Sequence, residues 1–252
     1  MPRYKLTIEY DGSDYVGWQR QANGPSIQEA VEDAVFALSG ERTEVAGSGR
    51  TDAGVHALGQ VAHVDIDNDR LNADKVRMGL NFHLKRAPIS ILDCIVITDL
   101  EFHARFSARR RSYLYRILNR ASPPALDRGR VWFIPRDIDA EKMHAAAQGL
   151  LGNHDFTSFR SSHCQADSPV KTLDRLDVSR AGDEVHVRAE ARSFLHHQVR
   201  NFVGSLALVG EGKWSPEDLV TALEAHDRSA AGPTAPAEGL YLVSVGYPET
   251  SP

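Results

Sequence analysis

Cysteine is almost missing from this 252-residue chain, which has only Cys94 and Cys164. Two cysteines cannot make a disulfide framework, and such sparse use fits a reducing cytosol. Long apolar runs are missing as well. None approaches the roughly 18 residues of a membrane span. The first residues, Met1-Pro2-Arg3-Tyr4-Lys5, lead straight into strand alternation without the apolar core of a signal peptide. A cytoplasmic protein is therefore expected. Metal-ligand spacing is absent too. No Cys-x2-Cys pair accompanies His163-Cys164 or His196-His197, so no metal is expected. His196 and His197 are expected to cap the helix that follows them or to touch phosphate near Arg200. Finally, acids are missing from one stretch. From His103 to Arg120 there are six arginines (105, 109, 110, 111, 116 and 120) and no Asp or Glu, on a chain of formal net charge −5. Such a stripe reads either as a solvated strand face or as a track for phosphates.

What is present is ordinary globular material, 42% hydrophobic and 25% charged, enough for one large domain or two modest ones. One stretch stands out: Gly47-Ser48-Gly49-Arg50-Thr51-Asp52-Ala53-Gly54-Val55-His56-Ala57. A tight hairpin needs two to five loop residues. This loop is longer, and it holds a charged pair between two strand-like runs, Thr43 to Ala46 and Gln60 to Ile66. Conformationally permissive glycines around charged groups mark a place where chemistry can be positioned.

Patterning around the loop gives the fold. Tyr4, Leu6, Ile8 and Tyr10 alternate with polar residues, as in a half-buried strand. Ser26-Ile27-Gln28-Glu29 reads as a capping box, followed by Ile27, Val31, Ala34, Val35 and Leu38 at helical spacing and closed by Gly40. A second helix from Asn72 to about His83 and a strand from Ile89 to Ile97 complete the order β-α-β-β-α-β. The second half repeats it: a strand over Tyr113 to Leu118, a helix capped by Asp139, a hairpin through Ala181-Gly182-Asp183, a helix from Val199 to Gly210, a further helix after Ser215-Pro216, and a last strand over Leu240 to Val245. The expected class is α+β. Two related ferredoxin-like βαββαβ halves, residues 1–107 and 108–252, would form a continuous, mostly antiparallel sheet with a central cleft.

Seven segments, in order along nearly the whole chain, carry a resemblance. They are Glu9-Tyr10-Asp11-Gly12 with Gly17-Trp18-Gln19-Arg20-Gln21; Gly49 to His56; Phe102-His103-Ala104-Arg105-Phe106-Ser107-Ala108; Arg111-x-Tyr113-x-Tyr115; His154 to Phe159; Phe194-Leu195-His196-His197-Gln198-Val199-Arg200-Asn201; and Glu238 to Val243. Together they resemble the tRNA pseudouridine synthase A family. The resemblance implies the pseudouridine synthase fold. It also implies isomerisation of uridine to pseudouridine at positions 38, 39 and 40 of the tRNA anticodon stem-loop. Such enzymes work as homodimers, without cofactor or metal.

The resemblance also assigns roles. Asp52 is the essential carboxylate and nucleophile. Arg50 grips the RNA backbone or helps displace the target nucleotide, and Arg200 is the candidate partner that keeps Asp52 ionised. A base inside a stem must be taken out of its stack. Tyr113 is expected to stack on the extruded uracil and to take part in proton transfer, whereas Tyr115 reads as a core aromatic. His56 is expected to shape the loop. With an RNA substrate, Arg105, Arg109, Arg110 and Arg111 become phosphate contacts, with Arg20 as a further candidate. The alternatives are a non-catalytic RNA-binding protein on the same fold and a base-releasing hydrolase using Asp52. The chain departs from the family around Leu80 to Ile89, where a proline is displaced and an acid is missing. That turn is distant from the loop in sequence, so no effect on catalysis is expected.

Overall fold

The computed structural model describes residues 1–68, 70–99 and 101–248. The chain divides into two compact units, Met1–Arg109 with Tyr241–Pro252 and Arg110–Leu240. The first unit holds β1 (Arg3–Tyr10), α1 (Ile27–Ser39), β2 (Ala46–Gly47), β3 (His56–Asp65), α2 (Ala73–Leu84) and β4 (Ile89–Ile97). Its strands lie in the order β4-β1-β3, with β2 on β3. Every one of these pairs is antiparallel, as the ferredoxin-like order requires. Tyr4, Leu6, Ile8 and Tyr10 of β1 are buried, as are Ile27, Val31, Ala34 and Val35 of α1, which follows from period 2 in the strand and period 3.6 in the helix.

The cap of α1 differs from expectation. Ser26 accepts the Glu29 N–H, but the Glu29 carboxylate pairs with Arg20 at 3.2 Å, so only half of the capping box forms. The strand expected over Thr43 to Ala46 shrinks to β2. The Val45 N–H donates to the Glu32 carboxylate and the Val45 carbonyl accepts from Gln28 Nε2, each at 3.2 Å. Its backbone groups are thus spent on side chains of α1, and no neighbouring strand can use them.

The second unit holds β5 (Arg110–Asn119), β6 (Trp132–Ile134), α3 (Ala140–Ala147), β7 (Gly152–Asp155), β8 (Val170–Ala181), β9 (Glu184–Ala191), α4 (Gln198–Gly210) and α5 (Pro216–Glu224). Its order is β5-β9-β8-β7, antiparallel throughout, with β6 parallel to β5. The sequence reading had no strand at β6 or β7, both too short to show alternation. Asp139 caps α3 as expected, and Ser215 with Asp218 makes a complete capping box on α5 behind Pro216. Both units are therefore α+β with mostly antiparallel sheets.

One strand changes sides. The sequence reading gave the chain's end to the second half. The closing strand, β10 (Leu240–Gly246), pairs in parallel with β3, Tyr241 opposite His56 and Leu242 opposite Ala57. The two-residue β2 covers only Ala62 and His63 of that β3 edge, and β10 takes up the stretch it leaves bare. The unit boundary falls after Arg109, two residues beyond the expected one.

Two of the stripe's arginines serve this framework. Arg116 on β5 donates to Glu184 at 2.7 and 2.9 Å and to Asp127 at 3.3 Å, and Arg120 reaches Asp183 at 3.4 Å. With His186 alongside, Arg116 holds the Glu184 carboxyl down at about 2, below its ordinary 4.5. A depressed carboxyl contributes stability above its unfolded value and loses it as pH falls through the folded one. Glu184→Gln is therefore expected to flatten the acid limb of stability between about pH 4.5 and 2. Urea midpoints measured across that range check this; an unchanged limb contradicts it.

Candidate active site

The Gly-rich loop, residues 48–55, connects β2 to β3 and is clamped on two sides. On one side, the segment after β1 lies directly against it. Tyr10 Oη and Thr51 Oγ1 share a hydrogen bond at 2.8 Å. The Trp18 N–H donates to the Thr51 carbonyl at 3.1 Å, and the Gly54 N–H donates to the Tyr15 carbonyl at 3.3 Å. This approach leaves no room for side chains. A Cβ on Gly12 would stand 2.0 Å from the Val55 carbonyl oxygen; one on Gly17, which has φ +108°, would stand 2.4 Å from that of Thr51. The Gly12 N–H donates to His56 Nδ1 at 3.1 Å, and the His56 ring stacks on Tyr241 with centroids 4.8 Å apart. The Asp11 carboxylate lies 3.1 Å from the same nitrogen. His56 is thus a buried loop-shaping residue, in keeping with the role expected of it.

On the other side, β3 holds the loop through Gln60. This fully buried side chain accepts from Ser48 Oγ at 2.7 Å and donates to the Gly49 carbonyl at 3.0 Å. The Ser48 N–H donates to Val61 at 2.7 Å. Buried polar groups bonded at every turn fix a single loop conformation. The half-buried Asp52 and the exposed Arg50 therefore ride on a rigid support. Gln60 was missed in the sequence reading. Its only signal was a polar residue next to the apolar pair Val61-Ala62 of a strand.

The turn before β4 is nearer the loop than its sequence position suggests. The Asp11 N–H donates to the Pro88 carbonyl at 3.0 Å, so the proline displaced relative to the family supports the segment that meets His56. The Asn81 side chain pins the same turn by a pair of bonds to the Ile91 backbone, at 2.8 and 2.9 Å. Expecting this region to be remote was incorrect, because chain distance hid the contact through Asp11.

The central segment is anchored with equal care. His63 Nδ1 accepts the Ala104 N–H at 3.2 Å, Arg3 donates to the Phe102 carbonyl at 2.6 Å, and Tyr247 Oη donates to the Ala104 carbonyl at 2.7 Å. Burial and the nearby Arg3 charge push His63 down to about 4, so it stays a neutral acceptor at neutral pH. Between these anchors Arg105 and Phe106 are exposed, as is Arg109 further on.

In the second unit, Tyr113 lies on β5 opposite Ala189. Its ring meets Phe194 edge-on at 5.2 Å and 89°; Phe194 opens a matching segment but was given no role from the sequence. Tyr115, two residues on, is fully buried, donates to the Pro236 carbonyl at 2.7 Å, and has its hydroxyl pushed far up by burial. It is a core residue, as read. Arg200 sits in the first turn of α4, its Nε donating to the Ala235 carbonyl at 2.8 Å. Arg110 lies 3.8 Å from Glu190, and Arg111 donates to the Arg192 carbonyl at 2.5 Å. His197 is the N-cap residue of α4 in the left-handed region, but its side chain makes no cap bond, so the expected side-chain cap is not formed. In the first unit, Arg20 is engaged by Glu29 and Glu32, each at 3.2 Å. Phosphate would have to compete with two carboxylates there.

Fold and site define a class: an α+β protein whose first unit presents one carboxylate and one arginine from a rigid glycine-rich loop and whose second unit offers a half-exposed tyrosine. Comparison with known proteins narrows it. The family described as tRNA pseudouridine synthase matches residues 6–107 and 146–248. A relative from Sinorhizobium fredii, called tRNA pseudouridine synthase A, is 59% identical over 249 residues, covering 98% of this chain and 100% of its own. One of the same name from Rhodospirillum rubrum is 60% identical, covering 98% and 88%, and one from Caulobacter is 59% identical, covering 98% of each. The chain belongs to the tRNA pseudouridine synthase family.

A substitution at the tightest contact tests the clamp. Gly17→Ala must place a side chain in the left-handed region and against a carbonyl, and is expected to cost about 1–3 kcal/mol. Urea denaturation measures the loss. A midpoint within error of the parent would show that the segment shifts freely and does not clamp the loop.

Proposed function

We propose that this protein isomerises uridine to pseudouridine in tRNA, at positions 38, 39 and 40 of the anticodon stem-loop, with Asp52 as the nucleophile. The observation that carries the reading is the position of Asp52. It is a single carboxylate on a loop immobilised by its neighbours, in a chain whose relatives share one name. The reaction breaks the N1–C1′ bond, turns the uracil and joins C5 to C1′. The C5 hydrogen leaves as a proton and N1 gains one, so no atom is lost from the RNA. A fixed carboxylate suits the covalent or charge-bearing part of this sequence. The loop holds no second acid of the kind that glycoside hydrolysis uses, which suits transfer within one nucleotide.

Taking the base out of the stem requires a platform and a handle. Tyr113 supplies the platform. Stacking contributes about 1–3 kcal/mol per base, and the edge-on Phe194 steadies the ring. Arg50 is the handle. Arg200 pairs with the Asp52 carboxylate and keeps it ionised. Arg105, Arg109, Arg110 and Arg111 contact phosphates. Arg116 and Arg120 do not belong to this set, since Glu184 and Asp183 hold them at 2.7 and 3.4 Å, whereas the more exposed Arg110 stands 3.8 Å from Glu190. We further propose a cytoplasmic homodimer that uses neither cofactor nor metal, consistent with two free cysteines, Cys94 buried with its thiol pushed up to about 12.

The test is tRNA carrying tritium at uridine C5. Isomerisation releases tritium to water and leaves the base count unchanged; hydrolysis releases whole uracil, and a binding protein releases neither. Asp52→Ala is expected to abolish release while tRNA still binds. Tyr113→Phe is expected to retain binding and lower turnover. The phosphate contacts are read separately. Arg109→Ala and Arg110→Ala should each flatten the log–log salt dependence of tRNA binding by about 0.7 to 0.9, and Arg116→Met should leave it unchanged. Unaltered slopes for the first two would reduce the stripe to a solvated face.

A further inference from the structure

Arg50 does not lie loose on the loop. Its Nε donates to Gln19 Oε1 at 3.2 Å. Gln19 Nε2 in turn donates to Gln28 Oε1 at 2.9 Å. Gln28 is buried at the start of α1. There it also accepts the Arg20 backbone N–H at 2.9 Å and donates from Nε2 to the Val45 carbonyl at 3.2 Å.

These bonds form a chain with a direction. A backbone N–H can only donate and a backbone carbonyl can only accept, so the two main-chain partners of Gln28 decide which end of its amide faces which way. Its oxygen must face Arg20 and its NH₂ must face Val45. Gln19 then meets an oxygen, so it must turn its own NH₂ inward and its carbonyl outward. That outward oxygen is an acceptor, and the group placed on it is the donor Arg50 Nε. Reversing either amide would set donor against donor or acceptor against acceptor.

The base of the chain is firm as well. The first N–H groups of α1, those of Ile27 and Gln28, donate to the carbonyls of Gly17 and Trp18 at 3.1 and 2.9 Å. These otherwise unsatisfied helix-end donors thereby fix the strip of chain that carries Gln19.

We infer that Gln19, oriented by Gln28, is the positioning residue of Arg50. The pair of amides carries the rigidity of the α1 N-terminus out to an exposed guanidinium and points it toward bound RNA. Gln19 acts through Arg50 and need not touch the reacting atoms. The inference deepens the proposed function and rests on the role given there to Arg50.

The experiment is a double-mutant cycle with Gln19→Met, which keeps length and removes both polar ends, and Arg50→Ala. It is read on affinity for an anticodon stem-loop RNA and, separately, on tritium release from labelled tRNA. Gln19→Met alone is expected to weaken the Arg50-dependent readout about tenfold, within the range of coupling seen for side chains in contact. Added to Arg50→Ala, it should do nothing further. Gln19→Glu still accepts from Arg50 but cannot donate to Gln28, so it should recover only part of the loss. A Gln19→Met effect that persists in full beside Arg50→Ala overturns the inference, as does the absence of any effect alone. Gln19 is partly exposed, so its variants keep the fold, and equal urea midpoints confirm it. Should the parent protein bind the RNA yet release no tritium, the isomerase reading falls, and the affinity cycle still decides the relay. RNA binding unchanged by Arg50→Ala, with tritium release intact and equally unchanged, removes the relay alone.

Discussion

The structure of the first unit depends on main chain packed against main chain. The segment from Tyr10 to Trp18 meets the loop from Thr51 to His56 with no side chain between them at Gly12 and Gly17. Such an approach lets backbone donors of one strip meet backbone carbonyls of the other, Trp18 to Thr51 and Gly54 to Tyr15, while the Gly12 N–H donates to the His56 ring. An exposed loop would give the same groups to water. Directed at each other, they exclude alternatives, because any shift leaves buried polar groups unpaired at about 1–3 kcal/mol each. The loop is rigid because it is paired, and Asp52 inherits that rigidity.

The choice of neutral groups for this support follows from the charges it must carry. Gln60, Gln28, Ser48 and Thr51 are buried and uncharged. An ionised residue in their place would need its own counter-charge, and an acid there would compete with the RNA for Arg50. Charged pairs are placed elsewhere. Arg116 and Glu184 lock a strand pair in the second unit, and Arg3 with Asp65 locks another in the first. The arginine stripe thus divides by physical function. Arg116 and Arg120, held by Glu184 and Asp183, belong to the framework; the exposed Arg105 and Arg109 are the members proposed to meet phosphate.

Much of this was legible in the sequence, for identifiable reasons. Alternation in β1, the capping residues Ser26, Asp139 and Ser215, and the helical repeat of α1 are local signals, and the elements formed where those signals lie. The loop itself was legible because glycines and charges cluster there. What stayed hidden is what depends on partners distant in the chain. Thr43 to Ala46 has strand propensity, yet Val45 is claimed by Gln28 and Glu32. Leu240 to Val245 was recognisable as a strand, yet nothing local says that it runs beside β3. Gln19 sits in plain view in a matching segment and Gln28 in the capping stretch of α1, but their importance lies in the direction of a hydrogen-bond chain, which no spacing reveals. Pro88 shows the same limit from the other side: far from the loop in sequence, it reaches the loop through Asp11.

The repeated order of elements explains why one unit carries the carboxylate. Within β1-α1-β2-β3-α2, the link from β2 to β3 is residues 48–55; the corresponding link in the second unit, from β8 to β9, is residues 182 and 183. A two-residue hairpin turn holds its strands in continuous register. Accordingly β8 and β9 stay in continuous register from Ala181 and Glu184 to Arg175 and Glu190, and pair on past one bulge to Leu173 and Ala191. In the first unit the long link cannot hold a hairpin of that kind. Strand β2 contracts to Ala46–Gly47, and the chain released from pairing becomes the loop that carries Arg50 and Asp52. Sheet pairing and a displayed loop draw on the same residues. The second unit keeps them as sheet and offers Tyr113 from a regular strand. The first gives up most of a strand, recovers the lost backbone bonds through Gln28, Gln60 and the segment after β1, and gains a fixed carboxylate.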